Sequence, residues 1–231
     1  VLKALEEKGI RPDIISGASA GSIVGALLAS GRTADEIMRL VKDNRFMNYA
    51  KVNLPVTGLF TMGNFEGRIK KYLPDDFAGL KVPFYAAVSN LNSGRVEYIH
   101  EGPLIPVIEA SSSIPVLFSP VQMHGQLYVD GGLLDNLPYR PLLNQCDKII
   151  AVTIVGIERK DNINNLFDVA ARTFELGVGE DKEIAGEQCD LVIAPKGVGD
   201  FSILDTGHAE ELYRIGYESC KKIDVNGALW G

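Results

Sequence analysis

The chain has 231 residues, of which 46% are hydrophobic and 23% charged, a balance that excludes a disordered chain. Asp and Glu outnumber Lys and Arg by 30 to 23, so a fold-wide basic field for nucleic acid is excluded. The longest apolar run, Ile23 to Ala29, is too short to cross a bilayer. Cys146, Cys189 and Cys220 lie 43 and 31 residues apart, without close metal-ligand spacing. They read as reduced, mostly buried thiols, and the expected setting is cytoplasmic.

In chain order, Leu2 to Lys8 reads as an amphipathic helix stopped by Gly9. It is already under way at Val1. Asp13 to Ser16 reads as a short buried strand, Gly17 to Gly21 as a tight turn, and Ser22 to Ala29 as a helix of small residues ending at Gly31. Thr33 to Glu36 fits a capping box, with Ile37, Leu40 and Val41 on one face behind it. The stretch from Asn44 to Gly63 is irregular yet rich in aromatic and apolar residues, Phe46 and Phe60 among them. It suits either a lipid-facing lid or a packed surface loop. A helix is expected from Phe65 to Leu73. Val82 to Ser89 and Arg95 to His100 form a hairpin about the turn Asn92-Ser93-Gly94.

Leu104 to Ser112 is helical until Ile114-Pro115. Gln126 to Val129 is a strand running into Asp130-Gly131-Gly132. Lys148 to Val155 reads as a central strand buried on both faces. A helix from about Asn164 to Leu176, a strand from Leu191 to Ala194 and a helix from His208 to Lys222 complete the chain. Strands alternate with helices, so the expected class is α/β with a largely parallel sheet. No repeat or linker divides the sequence, and one domain over 1–231 is expected.

Gly17-Ala18-Ser19-Ala20-Gly21 matches G-x-S-x-G between a strand and a helix. A serine at so sharp a turn is forced out of the sheet edge, and its neighbours must be small because the backbones crowd. The helix behind it aims amides and a positive dipole end at the site. The Ala20 amide is then placed to donate to a developing oxyanion. A serine nucleophile needs a base. His100, His124 and His208 are the histidines; His208, with Asp130 or Asp190, fits a Ser–acid–His order on sequence alone. However, only 18 residues precede Ser19, too few for the mid-sheet elbow of that fold. Asp130 is the better partner. It ends a strand, and Gly131 and Gly132 let the chain bend away from the carboxylate. Partial burial would raise its pKa and improve it as a base. No dinucleotide-binding G-x-G-x-x-G, phosphate-binding loop or calcium loop pattern occurs.

Together, Gly17-Ala18-Ser19-Ala20-Gly21-Ser22 and Asp130-Gly131-Gly132 resemble the patatin-like phospholipase family. Val1 to Glu7 is similar to the helix that precedes the elbow there. Ala110-Ser111-Ser112-Ser113-Ile114-Pro115 is similar to the family's A-S-x-x-x-P segment, and Asp130 to Pro138 to its D-G-G-x-x-x-N-x-P segment. The resemblance implies a three-layer α/β/α fold and a Ser19–Asp130 dyad that cleaves phospholipid or other acyl esters through an acyl-enzyme. It implies no metal or cofactor. Transient contact with a membrane surface goes with the lid reading of Asn44 to Gly63. In the family a first strand and a glycine-rich oxyanion loop precede the first helix. This chain starts inside that helix, so both are expected to be missing from it. Two alternatives remain at this point: a non-catalytic lipid-binding domain with an incomplete site, and a Ser–His–Asp esterase.

Overall fold

The computed structural model describes residues 1–42, 50–52, 60–62, 65–154, 159–161, 163–178, 187–201 and 207–231. The element that organises the site is strand β4 (Phe84–Asn90). Its central residues Ala86, Ala87 and Val88 are wholly buried, and the two alanines let neighbours approach closely. One edge of β4 pairs antiparallel with β5 (Arg95–Ile99), from Ala86↔Ile99 to Asn90↔Arg95, as the hairpin pattern requires. Its other edge is shared end to end by two strands. β1 (Ile15–Gly17) runs parallel, with Gly17 opposite Ala86. β7 (Gln126–Asp130) runs antiparallel, with Asp130 opposite Val88. Because these two strands run in opposite directions along one edge, their C-terminal ends converge beside Ala87. Residues 113 positions apart are thus set two pairing positions apart on β4.

β6 (Val121–Met123) completes this sheet as a hairpin with β7. The α/β class stands, but the sheet is mixed. Parallel pairing among the described strands belongs to β1–β4 and to β8 (Ile150–Val152) with β9 (Leu191–Ile193), whose partners are joined by long connections carrying helices. Short hairpin connections impose antiparallel pairing on β5 and β6. β8 pairs with β9 in a separate two-stranded sheet, where the run Lys148 to Val155 alone suggested a central strand.

Helices α2 (Ala20–Ala29) and α5 (Leu104–Ser111) lie together on one face of β4. Small residues bring α2 close: a Cβ at Gly25 would stand 2.8 Å from the Phe84 ring and 3.2 Å from Ile15. α3 (Ala34–Lys42) and α4 (Phe65–Ile69) pack around them. The capping box of α3 forms: the Thr33 amide donates to Glu36 Oε2 at 2.8 Å, and the Glu36 amide to Thr33 Oγ1 at 3.3 Å. The core here gathers Leu27, Phe65, Ile69, Phe84, Val88, Leu104, Ile108 and Leu117. Each such side chain contributes on the order of 1.5–3 kcal/mol on full burial.

A second cluster joins α1 (Leu2–Glu7), β9, α7 (Ala209–Lys221) and α8 (Val225–Trp230) through Leu5, Ile193, Cys220, Val225 and Leu229. α6 (Leu166–Gly177) sets Ala171 against the first core. The three cysteines are free thiols, two of them buried. Among the described residues no helix is long and apolar enough to cross a membrane. Of the stretch from Asn44 to Gly63, only the short hairpin β2 (Ala50–Val52) with β3 (Phe60–Met62) is described. The lid expectation, and the Phe46 and Phe60 side chains with it, lie outside the described residues.

Candidate active site

Ser19 follows β1 and precedes α2, with backbone angles φ 53° and ψ −127°. An L-residue with positive φ is strained, at a cost of roughly 1–3 kcal/mol, so its surroundings must hold it. The turn that does so requires a glycine at position 17: a Cβ there would stand 2.4 Å from the Gly21 carbonyl oxygen. Gly21 is different. It is exposed, and a Cβ there would meet nothing within 4 Å. Behind the bend the chain closes at once into helix, with the Gly21 amide donating to Ala18 O at 2.8 Å and Ser22 to Ser19 O at 2.8 Å. The Ala20 amide takes part in none of the turn's backbone hydrogen bonds, and Ala20 is exposed. A donor at the positive end of α2 is therefore open beside Ser19.

Asp130 is fully buried. Gly131 permits this, because a Cβ there would fall 2.1 Å from the Ala87 carbonyl oxygen. The chain then turns through a short 3-10 helix, Gly131–Leu133, capped by Asp130 itself: Oδ1 accepts the Gly132 amide at 2.8 Å. Burial pushes the Asp130 carboxyl up to about 7, while the Ser19 hydroxyl and the Gly132 amide pull in the opposite direction. Oδ2 is buried without a hydrogen-bond partner of ordinary geometry. The carboxyl thus feels Ser19 yet keeps unused acceptor capacity. Ser19, Ala20, Gly17, Gly21, Asp130, Gly131 and Gly132 all fall in this one corner, at the meeting ends of β1 and β7.

His100 ends β5 with its ring 4.7 Å from that of Tyr85. His124 is exposed in the β6–β7 turn. His208 caps α7 with its ring 5.3 Å from Phe201. Asp190 is committed to a structural role, with Lys148 at 2.9 Å and the Ile149 amide at 2.8 Å.

Two groups of residues bear on the site beyond those read from sequence. Ser111, Ser112 and Ser113, at the end of α5, hydrogen-bond around both Ser19 and Asp130. The segment was visible as a motif, but a run of serines gives no sign of which chains it ties. Asp135, one turn beyond Asp130, is also buried. It accepts from the Tyr98 hydroxyl and pairs with Arg140 at 2.7 Å, while its amide donates to Gly131 O at 2.9 Å. This fastens the far side of the Asp130 turn to β5. No group of His, Cys, Asp and Glu among the described residues could hold a metal ion.

A strained serine at a strand-to-helix turn, set against a buried aspartate at a D-G-G turn, accompanies a sequence whose residues 1–143 match the patatin-like phospholipase family. The chain belongs to that family. An uncharacterized NTE family protein of Mycobacterium tuberculosis is 30% identical over 163 residues, covering 68% of this chain and 45% of the relative. Lysophospholipase NTE1 of Kluyveromyces lactis is 27% identical over 253 residues, covering 94% of this chain and 17% of the relative. The chain therefore spans less than half the length of these curated relatives. In structure it is similar to VipD from Legionella pneumophila, with a TM-score of 0.52 at 15% identity over 94% of this chain and 62% of the other. At that identity the likeness concerns the fold.

Proposed function

We propose that the chain is a serine lipid acyl hydrolase of the phospholipase or carboxylesterase type, with Ser19 as nucleophile and Asp130 as its base. The observation that carries this reading is the buried Asp130 carboxyl, raised to about 7 and influenced by the Ser19 hydroxyl. An aspartate at its ordinary pKa of about 3.9 is a weak base; one near neutrality is matched to its task. Ser19 Oγ attacks the ester carbonyl and its proton passes to Asp130. The oxyanion develops beside the Ala20 amide at the start of α2. The alcohol or lysolipid leaves with the proton, and the acyl group remains on Ser19. Asp130 then takes a proton from a water whose oxygen attacks the acyl carbonyl; the bond to Ser19 Oγ breaks, the fatty acid leaves, and the proton returns to Ser19 Oγ.

Family membership and the lysophospholipase names of several relatives support an acyl-lipid substrate. Contact with a lipid surface is part of the same proposal. Exposed aliphatic side chains stand close in sequence to the site's anchors: Leu133 and Leu134 follow Asp130-Gly131-Gly132, and Val116 follows the serine run.

The test is a fluorophosphonate probe on the full chain, which is expected to label Ser19 and nothing in Ser19→Ala. Asp130→Asn should stay folded and lose labelling and ester turnover by ~10²-fold or more. Retained turnover in Asp130→Asn would remove the dyad. Lipid binding without labelling would favour a non-catalytic domain. Loss of turnover in His208→Ala would favour a triad.

A further inference from the structure

The geometry points to Ser111 as a positioning residue that sets Ser19 against Asp130, an inference resting on the dyad proposed above. The end of α5 is tied to both members at once. The Ser19 amide donates to Ser111 O at 3.0 Å and shares its hydrogen with Ser111 Oγ at 3.2 Å. The Asp130 amide donates to Ser113 O at 2.9 Å, two residues further on. One short stretch of backbone therefore accepts the main-chain N–H of the nucleophile and of the base.

The Ser111 side chain fixes where that stretch sits. It is completely buried, and its hydroxyl donates to Ala87 O at 2.7 Å. Ala87 lies between the two pairing positions that place the dyad, Gly17↔Ala86 and Val88↔Asp130. The same carbonyl is what Gly131 must approach closely, as its absent Cβ shows. Ser111 Oγ thus joins three things: the strand that registers β1 and β7, the amide of the strained Ser19, and the α5 terminus that holds Asp130. Its hydrogen goes to Ala87 O, which leaves an oxygen lone pair for the Ser19 amide. Ser112 contributes less, with long contacts of 3.3 Å to Ser19 O and 3.4 Å to Ser22 Oγ. Ser113 Oγ turns back to Glu109 O at 2.8 Å and serves the helix end.

Removing the Ser111 hydroxyl leaves the main-chain bond from Ser19 to Ser111 O but frees α5 from Ala87. Small displacements of a nucleophile from its base cost rate steeply, and one lost buried hydrogen bond corresponds to about tenfold. The test compares Ser111→Ala and Ser112→Ala in the full chain, by the rate of fluorophosphonate labelling at Ser19 across pH. Rates are counted per labelled site at completion, so that unfolded molecules drop out. Ser111→Ala is expected to lower the plateau rate about tenfold and to leave the pH midpoint where it was, since Ser113 O still holds Asp130. With an ester substrate, kcat should fall and KM stay. Ser112→Ala should change the rate by less than about threefold.

If Ser111→Ala does not fold, Ser111→Cys, which keeps the volume and weakens both bonds, takes its place with the same expectation. A folded variant at Ser111 whose per-site rate is within twofold of the parent overturns the positioning role, whatever its melting temperature. A parent chain that is not labelled at Ser19 overturns the hydrolase reading instead, so the two failures are distinct.

Discussion

At the scale of single residues, the buried carboxyl of Asp130 makes two pH dependences follow from one cause. The ionised form alone can take the Ser19 proton. Labelling of Ser19 is therefore expected to rise with pH through a midpoint near 7, following Asp130, and to level off above it. Stability should run the other way. Between about pH 4 and 7 the native carboxyl keeps a proton that the unfolded chain has released, so the native state binds more protons there. Stability contributed by this group is then full below about pH 4, and falls as pH rises towards 7, by a few kcal/mol in all. Asp130→Asn carries no such titration. Chemical denaturation at pH 4 and pH 8 should find the variant gaining on the parent only at the higher pH. A difference that does not change between the two would mean that folding does not raise the Asp130 pKa. The Ser19 elbow and the D-G-G turn were legible in the sequence because their chemistry is local: small residues at fixed offsets around a sharp bend. The raised pKa was foreseeable in direction only, since burial is set by α5 and β4, far along the chain.

At the scale of elements, the glycines of the two turns separate by what lies beside them. Gly131 faces the Ala87 carbonyl at a distance that no side chain tolerates, and both partners are backbone, so neither can swing aside. Gly131→Ala is expected to destabilise the protein by about 3 kcal/mol or more, or to prevent folding, read by urea melts. Gly21→Ala meets open space and places a better helix former in the first turn of α2, for a gain of up to ~1 kcal/mol. A destabilised Gly21→Ala would show that this turn is packed by something the open geometry does not reveal. Most helices were legible from apolar periodicity and stop signals, and the capping box of α3 formed as written. The misses have physical reasons. β6 is three residues long and gains its identity only by pairing with β7. α8 carries Gly227 in its middle and is held by an Asp224 cap and by burial of Val225 and Leu229 against the terminal cluster. The antiparallel approach of β7 to β4 is a long-range pairing that no local pattern encodes.

At the scale of the whole molecule, the proposed base is buried, while exposed aliphatic side chains follow the segments that meet at the site. Asp130 is wholly buried, yet three and four residues on, Leu133 and Leu134 are 40% and 46% exposed. Val116, three residues past the carbonyl that holds Asp130, is 57% exposed in a backbone conformation with φ 70°. A β-branched residue held there is strained, and solvent exposure gives it no compensating burial. These side chains suit an acyl chain or the surface of a lipid aggregate better than they suit water. With a net charge of −7, long-range attraction to an anionic membrane is not the driving force, so binding should depend on apolar burial. The double variant Leu133→Ser/Leu134→Ser is therefore expected to bind zwitterionic phosphatidylcholine vesicles several-fold more weakly in flotation. It should hydrolyse vesicle lipid correspondingly more slowly, while its rate on a short, soluble ester stays within about twofold of the parent. Added salt should change vesicle binding little. A variant that floats like the parent removes the lipid-surface role from these leucines, and one that also loses the soluble ester activity shows that they support the Asp130 turn instead.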